Sequence, residues 1–298
     1  MRFPILVSFI CFAAVVSAVG ADDTRQQQKS SVVWHNSEGG SWARVYLQSS
    51  PFPHASRKSG HTYKNMVFTY SVNYSDSSAI VFIPDNYFSY GGQNDVIVHF
   101  HGWGNEVINV MHDFDMPLQL VRSNKNAILI FAQGPKNAMD SAGGKMEEKN
   151  GLRMFILETL DLLKAENRIA AKELGNVIIS AHSGGYRPAI LGLVNGGVGN
   201  KIKEVFLFDA FYDLTDRLIP WLEQDYENKL RSIYTDHLAE EHKEFAKLLS
   251  LKGLKYNTVL SRDTKILLKY TRACHDCVIE GNFEKWLKAS FLEDRLEN

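Results

Sequence analysis

Apolar residues fall into two textures along this chain. Residues 32–74 are rich in aromatic and β-branched side chains, punctuated by Pro51, Pro53 and Gly60, and this predicts strands and hairpins, including one at 66–70. Another apolar strand at 79–84 is stopped by Pro84 and Asp85. From Asp95 onward, short continuous apolar runs alternate with helical stretches. Strands are predicted at 96–100, 127–132, from Val177, and at 205–208, with helices at 107–122, between 151 and 171, and through Ile190 and Val194. Beyond Phe208, residues 214–228 read as helix or loop, 230–235 as a short strand and 238–251 as a charged amphipathic helix. A strand at 265–271 and a closing helix at 283–296 follow. Unbroken apolar strands separated by helices imply a parallel sheet covered on both faces, here with antiparallel strands added at one edge by the front of the chain. No internal repeat or low-complexity linker interrupts the pattern, so residues 22–298 are expected to form one α/β domain.

The N-terminus differs from the body. Arg2, an apolar core at 5–16, small residues at 17–21 and then Asp22-Asp23 predict a cleavable signal peptide over 1–21, cut between Ala18 and Ala21. The apolar run is too short for a stable membrane anchor, and the expected location is secreted or periplasmic. Loss of Cys11 with the leader leaves Cys274 and Cys277, which in an oxidising compartment would close a small disulfide loop. A redox-active pair or half of a zinc site are the alternatives, and there is no second C-x-x-C to complete the latter. With 45% hydrophobic and 22% charged residues, a net charge of −1 and no long basic stretch, nothing argues for nucleic acid or an anionic membrane as partner.

Candidate chemistry centres on residues 176–185, Asn-Val-Ile-Ile-Ser-Ala-His-Ser-Gly-Gly. An apolar strand running into Ser183 and two glycines has the layout of a nucleophile elbow, a tight strand-to-helix turn that lifts a serine hydroxyl above a sheet. The usual signature is G-x-S-x-G, and Ala181 stands at its first position. In open parallel sheets, ligands meet the carboxyl ends of the strands. The polar residues in such places are His99, His101-Gly102-Trp103-Gly104, Gln133, Ser183, Asp209, Asp236 and His275. Nucleophile, acid and histidine thus occur in the chain order of an α/β-hydrolase.

On the His101-Gly102-Trp103-Gly104 strand end, the Ser183 elbow and a late histidine before a terminal helix, the chain resembles the α/β-hydrolase superfamily from about Ile80 to Leu296, closest to secreted bacterial hydrolases of undefined substrate. The resemblance implies Ser183 as nucleophile, His275 as base, and the backbone N–H groups of Trp103 and Gly184 as oxyanion donors. The acid stays open between two residues. Asp236 has the common position, whereas Asp209 ends the better strand and is favoured. His101, Gln133 and Tyr186 are candidate substrate contacts, and the glycine-rich segment 140–145 belongs to a long loop near them. No cofactor is expected. His99 and His101 share a strand face but lack a third metal ligand at convincing spacing. His182 is expected to pack or hydrogen-bond, and His112, His237 and His242 to be solvated. The implied activity is cleavage of a small or polymer-derived carboxylic ester through an acyl-serine. Amide or cell-wall peptide cleavage and a catalytically silent binding protein are the competing readings. Cys274 and Cys277 bracket His275, so their bridge is expected to restrain the histidine loop.

Overall fold

The apolar runs assemble in a computed structural model that describes residues 32–296, so the predicted signal peptide at 1–21 lies outside the described residues. The strands are β1 (Trp34–Ser37), β2 (Gly40–Tyr46), β3 (His61–Tyr63), β4 (Met66–Phe68), β5 (Ser78–Pro84), β6 (Gln93–Phe100), β7 (Ile128–Ala132), β8 (Glu173–His182), β9 (Ile202–Phe208), β10 (Lys229–Tyr234) and β11 (Ile266–Tyr270). Nine of them form one sheet in the order β1-β2-β5-β7-β6-β8-β9-β10-β11, while β3 and β4 pair as a separate hairpin. From β7 to β11 every pairing is parallel, and β1, β2 and β5 add antiparallel strands at the opposite edge. The expected mixed sheet is therefore present.

The helices are α1 (Tyr70–Asn73), α2 (Val107–Asp113), α3 (Met116–Ser123), α4 (Gly151–Ala165), α5 (Tyr186–Asn195), α6 (Leu218–Gln224), α7 (Ala239–Leu251) and α8 (Asn282–Lys288). Both sheet faces are covered, and the central strands alternate between two cores. Val96, Val98 and Phe100 of β6 enter one with Leu152, Phe155, Ile190 and Phe245, while Ile97 enters the other with Val110, Leu120, Phe283 and Trp286. On α4 the buried positions Leu152, Phe155, Ile156, Thr159, Leu160 and Leu163 recur at helical spacing, which gives that helix one apolar face.

Three helix expectations change. The single helix at 107–122 is two, broken at Asp115 (φ 50°) with Pro117 opening the second. Proline lacks the N–H an interior turn needs and is at home in a first turn. Helix α4 stops at Ala165 rather than reaching 171, and α8 stops at Lys288 rather than reaching 296. Among the described residues no helix is long and apolar enough to cross a membrane.

Candidate active site

Strand β8 delivers Ser183 to the carboxyl edge of the sheet. The serine sits at φ 50°, in the left-handed region a non-glycine residue rarely occupies, and opens a short turn that leads directly into α5. The neighbouring glycines are demanded by packing. A Cβ at Gly185 would strike the Phe100 carbonyl, one at Gly184 would strike the Trp103 indole, and one at Gly102 would lie 2.8 Å from the Ser183 Cβ. Ala181, by contrast, lies fully buried within β8, paired with Phe100 and Leu207, where a methyl group is accommodated.

Asp209 follows β9 and also has a positive φ, 47°. Its backbone N–H donates to Ile233 O at 2.8 Å, which ties the turn to β10. The side chain is fully buried and accepts from Thr235 N–H at 2.9 Å, the Thr235 hydroxyl at 2.8 Å and His275 Nδ1 at 2.7 Å. Burial pushes this carboxyl up, but those hydrogen bonds and the nearby His237 outweigh it and hold the group below its usual range. Asp209 thus meets His275, and Asp236 does not. Asp236 is exposed and accepts from the Tyr270 hydroxyl at 2.6 Å.

His275 is carried on a short turn just beyond β11, between the disulfide-bonded Cys274 and Cys277. Cys274 also caps the turn, its Sγ accepting from Cys277 N–H at 3.1 Å. Because a carboxylate only accepts, Nδ1 of neutral His275 carries the proton and Nε2 is left as a base. Beneath it, His182 Nε2 donates to the His275 carbonyl at 3.2 Å. Burial, with the adjacent His275, lowers the His182 pKa to about 4 and keeps it neutral.

The His101–Asn105 loop follows β6 and lies against the elbow. Two expected substrate contacts, His101 and Gln133, are bonded to it and to its neighbours. His101 is buried, donates from Nδ1 to Gly102 O at 2.8 Å and accepts at Nε2 from Gly134 N–H and Gln133 Nε2, each at 3.0 Å. Burial holds its pKa down, in keeping with a neutral ring. Gln133 is buried as well, and its oxygen accepts from Val107 N–H at 3.1 Å. Their polar groups are committed to one another and to backbone, which braces the loop. Trp103 stacks edge-on to Tyr63 at 5.0 Å and donates from Nε1 to Ser141 Oγ at 2.7 Å. The 140–145 segment is fixed by a two-pronged Arg57–Asp140 contact at 2.6 and 2.9 Å, joined by Tyr74 at 3.1 Å. Tyr186, at the start of α5, packs against Tyr212 at 5.6 Å between ring centres.

Three residues near the site were not among the candidates for its chemistry, though they obey the same strand-end rule. Thr235 follows β10 and binds Asp209. His237 Nδ1 contacts Thr235 Oγ1 at 2.7 Å and lies 3.6 Å from Asp209 Oδ2. The Tyr212 hydroxyl, three residues past Asp209, meets His237 Nε2 at 3.0 Å. His237 is therefore engaged rather than merely solvated. His242 is buried, not solvated, stacked on Tyr234 at 3.6 Å and bonded to Ser232 Oγ at 2.8 Å. Two triplets, Asp209/His237/His275 and His182/His275/Asp276, bring potential metal-binding atoms within 4.8 Å, but both draw on His275, whose Nδ1 is already bonded to Asp209.

No protein-family profile and no curated protein sequence matches the chain. Solved structures do match in fold. An S-formylglutathione hydrolase from Agrobacterium tumefaciens aligns with a TM-score of 0.50 at 12% identity, over 86% of this chain and 97% of that one. A feruloyl esterase module from Clostridium thermocellum, solved with sinapinate, aligns at 0.51 and 9%, over 85% and 96%. The fold is that of the α/β-hydrolases.

Proposed function

We propose that this protein is a serine hydrolase that cleaves carboxylic esters through an acyl-serine intermediate. The observation that carries the reading is the 2.7 Å contact of His275 Nδ1 with the buried Asp209, at the same sheet edge as a serine held at φ 50°. In this reading, His275 Nε2 takes the Ser183 proton as Oγ bonds to the ester carbonyl carbon. The imidazolium formed is stabilised by Asp209. The backbone N–H groups of Trp103 and Gly184 receive the oxyanion, where one such donor contributes about 2.7–4 kcal/mol. Collapse breaks the C–O bond, and His275 returns the proton to the departing alkoxide. Water, activated by the same histidine, then releases the acid. Tyr186 would border the substrate. Ester rather than amide cleavage is favoured by the esterases among the proteins of similar fold. The leader at 1–21 and the Cys274–Cys277 bridge support export, with 22–298 as the mature domain.

The test is covalent labelling of the purified protein with a fluorophosphonate, with hydrolysis of small esters and matched amides measured alongside. Wild type is expected to label and to hydrolyse esters, whereas Ser183→Ala does neither. A folded wild type that fails to label would leave only a silent binding protein on this fold. Faster turnover of the amides would move the substrate class instead.

A further inference from the structure

Ser183 and His275 come from strands that are not neighbours. Strands β9 and β10 lie between β8 and β11, so the turn carrying His275 has to reach back across both. Its imidazole is tied to Asp209 through Nδ1 at 2.7 Å, and its backbone is tied elsewhere. Among the described residues, the His275 carbonyl is the one main-chain group between Arg272 and Cys277 that hydrogen-bonds to a residue distant in sequence. The donor is His182 Nε2, at 3.2 Å. A carbonyl only accepts, so the proton of neutral His182 sits on Nε2. That leaves Nδ1 a buried acceptor with no donor to meet it among the described residues. The His182 side chain is almost wholly shielded, edge-on to Phe114 at 5.1 Å and 4.8 Å from the His275 ring. A phenylalanine would fill this space without burying an unmatched nitrogen, so packing alone does not account for a histidine here. The exposed Asp276 carboxylate lies 3.8 Å from Nε2, beyond hydrogen-bond range.

We propose that His182 is a positioning residue for the base, its Nε2–H bond to the His275 carbonyl holding the histidine turn at a fixed spacing from Ser183. This rests on the reading of Ser183 and His275 as nucleophile and base. Asp209 grips the imidazole at Nδ1 alone, and a ring held at one atom can swing about that bond. Holding the backbone as well leaves Nε2 little freedom of direction. His182 and Ser183 share a peptide bond, so one residue relates the turn after β8 to the turn after β11. Burial also keeps the His182 ring neutral, and it therefore adds no positive charge beside an imidazolium forming on His275.

The experiment compares wild type with His182→Phe, which keeps a ring but no donor, and His182→Gln, whose amide nitrogen can take the place of Nε2. For each, the second-order rate of fluorophosphonate labelling, kcat and KM on a small ester, and unfolding in urea are measured. His182→Phe is expected to unfold at the same urea concentration as wild type or a higher one. It is expected to label roughly 10- to 100-fold more slowly, with the loss in kcat and not in KM, since a misplacement of about 1 Å suffices for that. His182→Gln is expected to regain most of that loss. A bond that served stability alone would move the urea midpoint and leave labelling of the folded protein unchanged. Labelling of folded His182→Phe within about threefold of wild type overturns the proposal, as does a glutamine variant no faster than the phenylalanine one. Should His182→Phe fail to fold, His182→Leu takes its place under the same criteria. If neither apolar variant folds, the histidine serves the fold itself and the proposal is overturned. A wild type that labels while these variants keep its rate defeats this inference only, whereas an unreactive wild type defeats the reading of Ser183 and His275 with it.

Discussion

Strand β9 carries two fully buried carboxylates, Glu204 within it and Asp209 just past its end, and the chain treats them differently. Glu204 faces Arg231 on the neighbouring strand, Nε donating at 2.9 Å, and both side chains are wholly shielded from solvent. Arg231 is further tied to Ala289 O at 2.9 Å, and Glu204 accepts from Phe291 N–H at 2.8 Å. Burial still pushes the Glu204 carboxyl above its usual range, despite the arginine. Asp209 has no permanent cation. It has two donors from Thr235 and an imidazole whose side chain remains 35% exposed, and its carboxyl lies low. One pair closes on itself and fastens β9 to β10. The other leaves its partner facing outward with a basic nitrogen to spare, as proton transfer to a bound molecule requires.

That contrast can be broken from either end. The largest effect is expected at Asp209→Asn, where kcat should fall about 10⁴-fold because the amide no longer fixes the histidine tautomer. The same exchange at the exposed Asp236 should change kcat by less than about twofold, since surface substitutions seldom propagate. Comparable losses at both positions would dissolve the distinction drawn between them. Glu204→Gln should do the reverse, lowering unfolding free energy by about 3–5 kcal/mol in urea titrations while the folded protein keeps its kcat, because it leaves the Arg231 charge buried without a counterion.

A smaller effect is expected from two buried histidines. Both His182 and His242 are lowered to about 4, chiefly by burial, against an unfolded value near 6.5. The unfolded chain therefore binds more protons between these values. The stability they contribute is fully present above about 6.5 and is lost as pH falls towards 4. Each adds a slope of up to about 1.4 kcal/mol per pH unit, and His242→Gln should remove one such increment from the pH dependence of unfolding.

The parallel sheet, its covered faces and the Ser183 turn could be read in the chain because continuous apolar runs and a Ser-Gly-Gly turn are local signals. The choice between Asp209 and Asp236 stayed open there, with only the quality of its strand favouring Asp209. Both follow apolar strands, and what separates them is the left-handed turn at Asp209 that bonds it to β10, a property of neighbouring strands rather than of either segment. The internal bonding of His101 and Gln133 was hidden for a related reason. Polar residues at strand ends face either the cleft or the loop beneath it, and their sequence spacing is the same in both cases. His242 looked solvated on a charged helix, but its face of α7 is packed against Phe211 and Tyr234. The helix break at Asp115, just ahead of Pro117, went unread because the apolar periodicity runs straight through it.

Strand β11, which leads into the His275 turn, is the last in the sheet, with β10 on one side and, among the described residues, only an isolated bridge from Asn257 on the other. Edge units open at lower free energy than the interior of a sheet. Heat or mild denaturant is therefore expected to detach His275 while β6, β8 and β9 still hold Ser183 in its turn. If Ser183 and His275 act together as proposed, activity is expected to vanish at a lower temperature than the sheet melts, which parallel activity and unfolding curves would show.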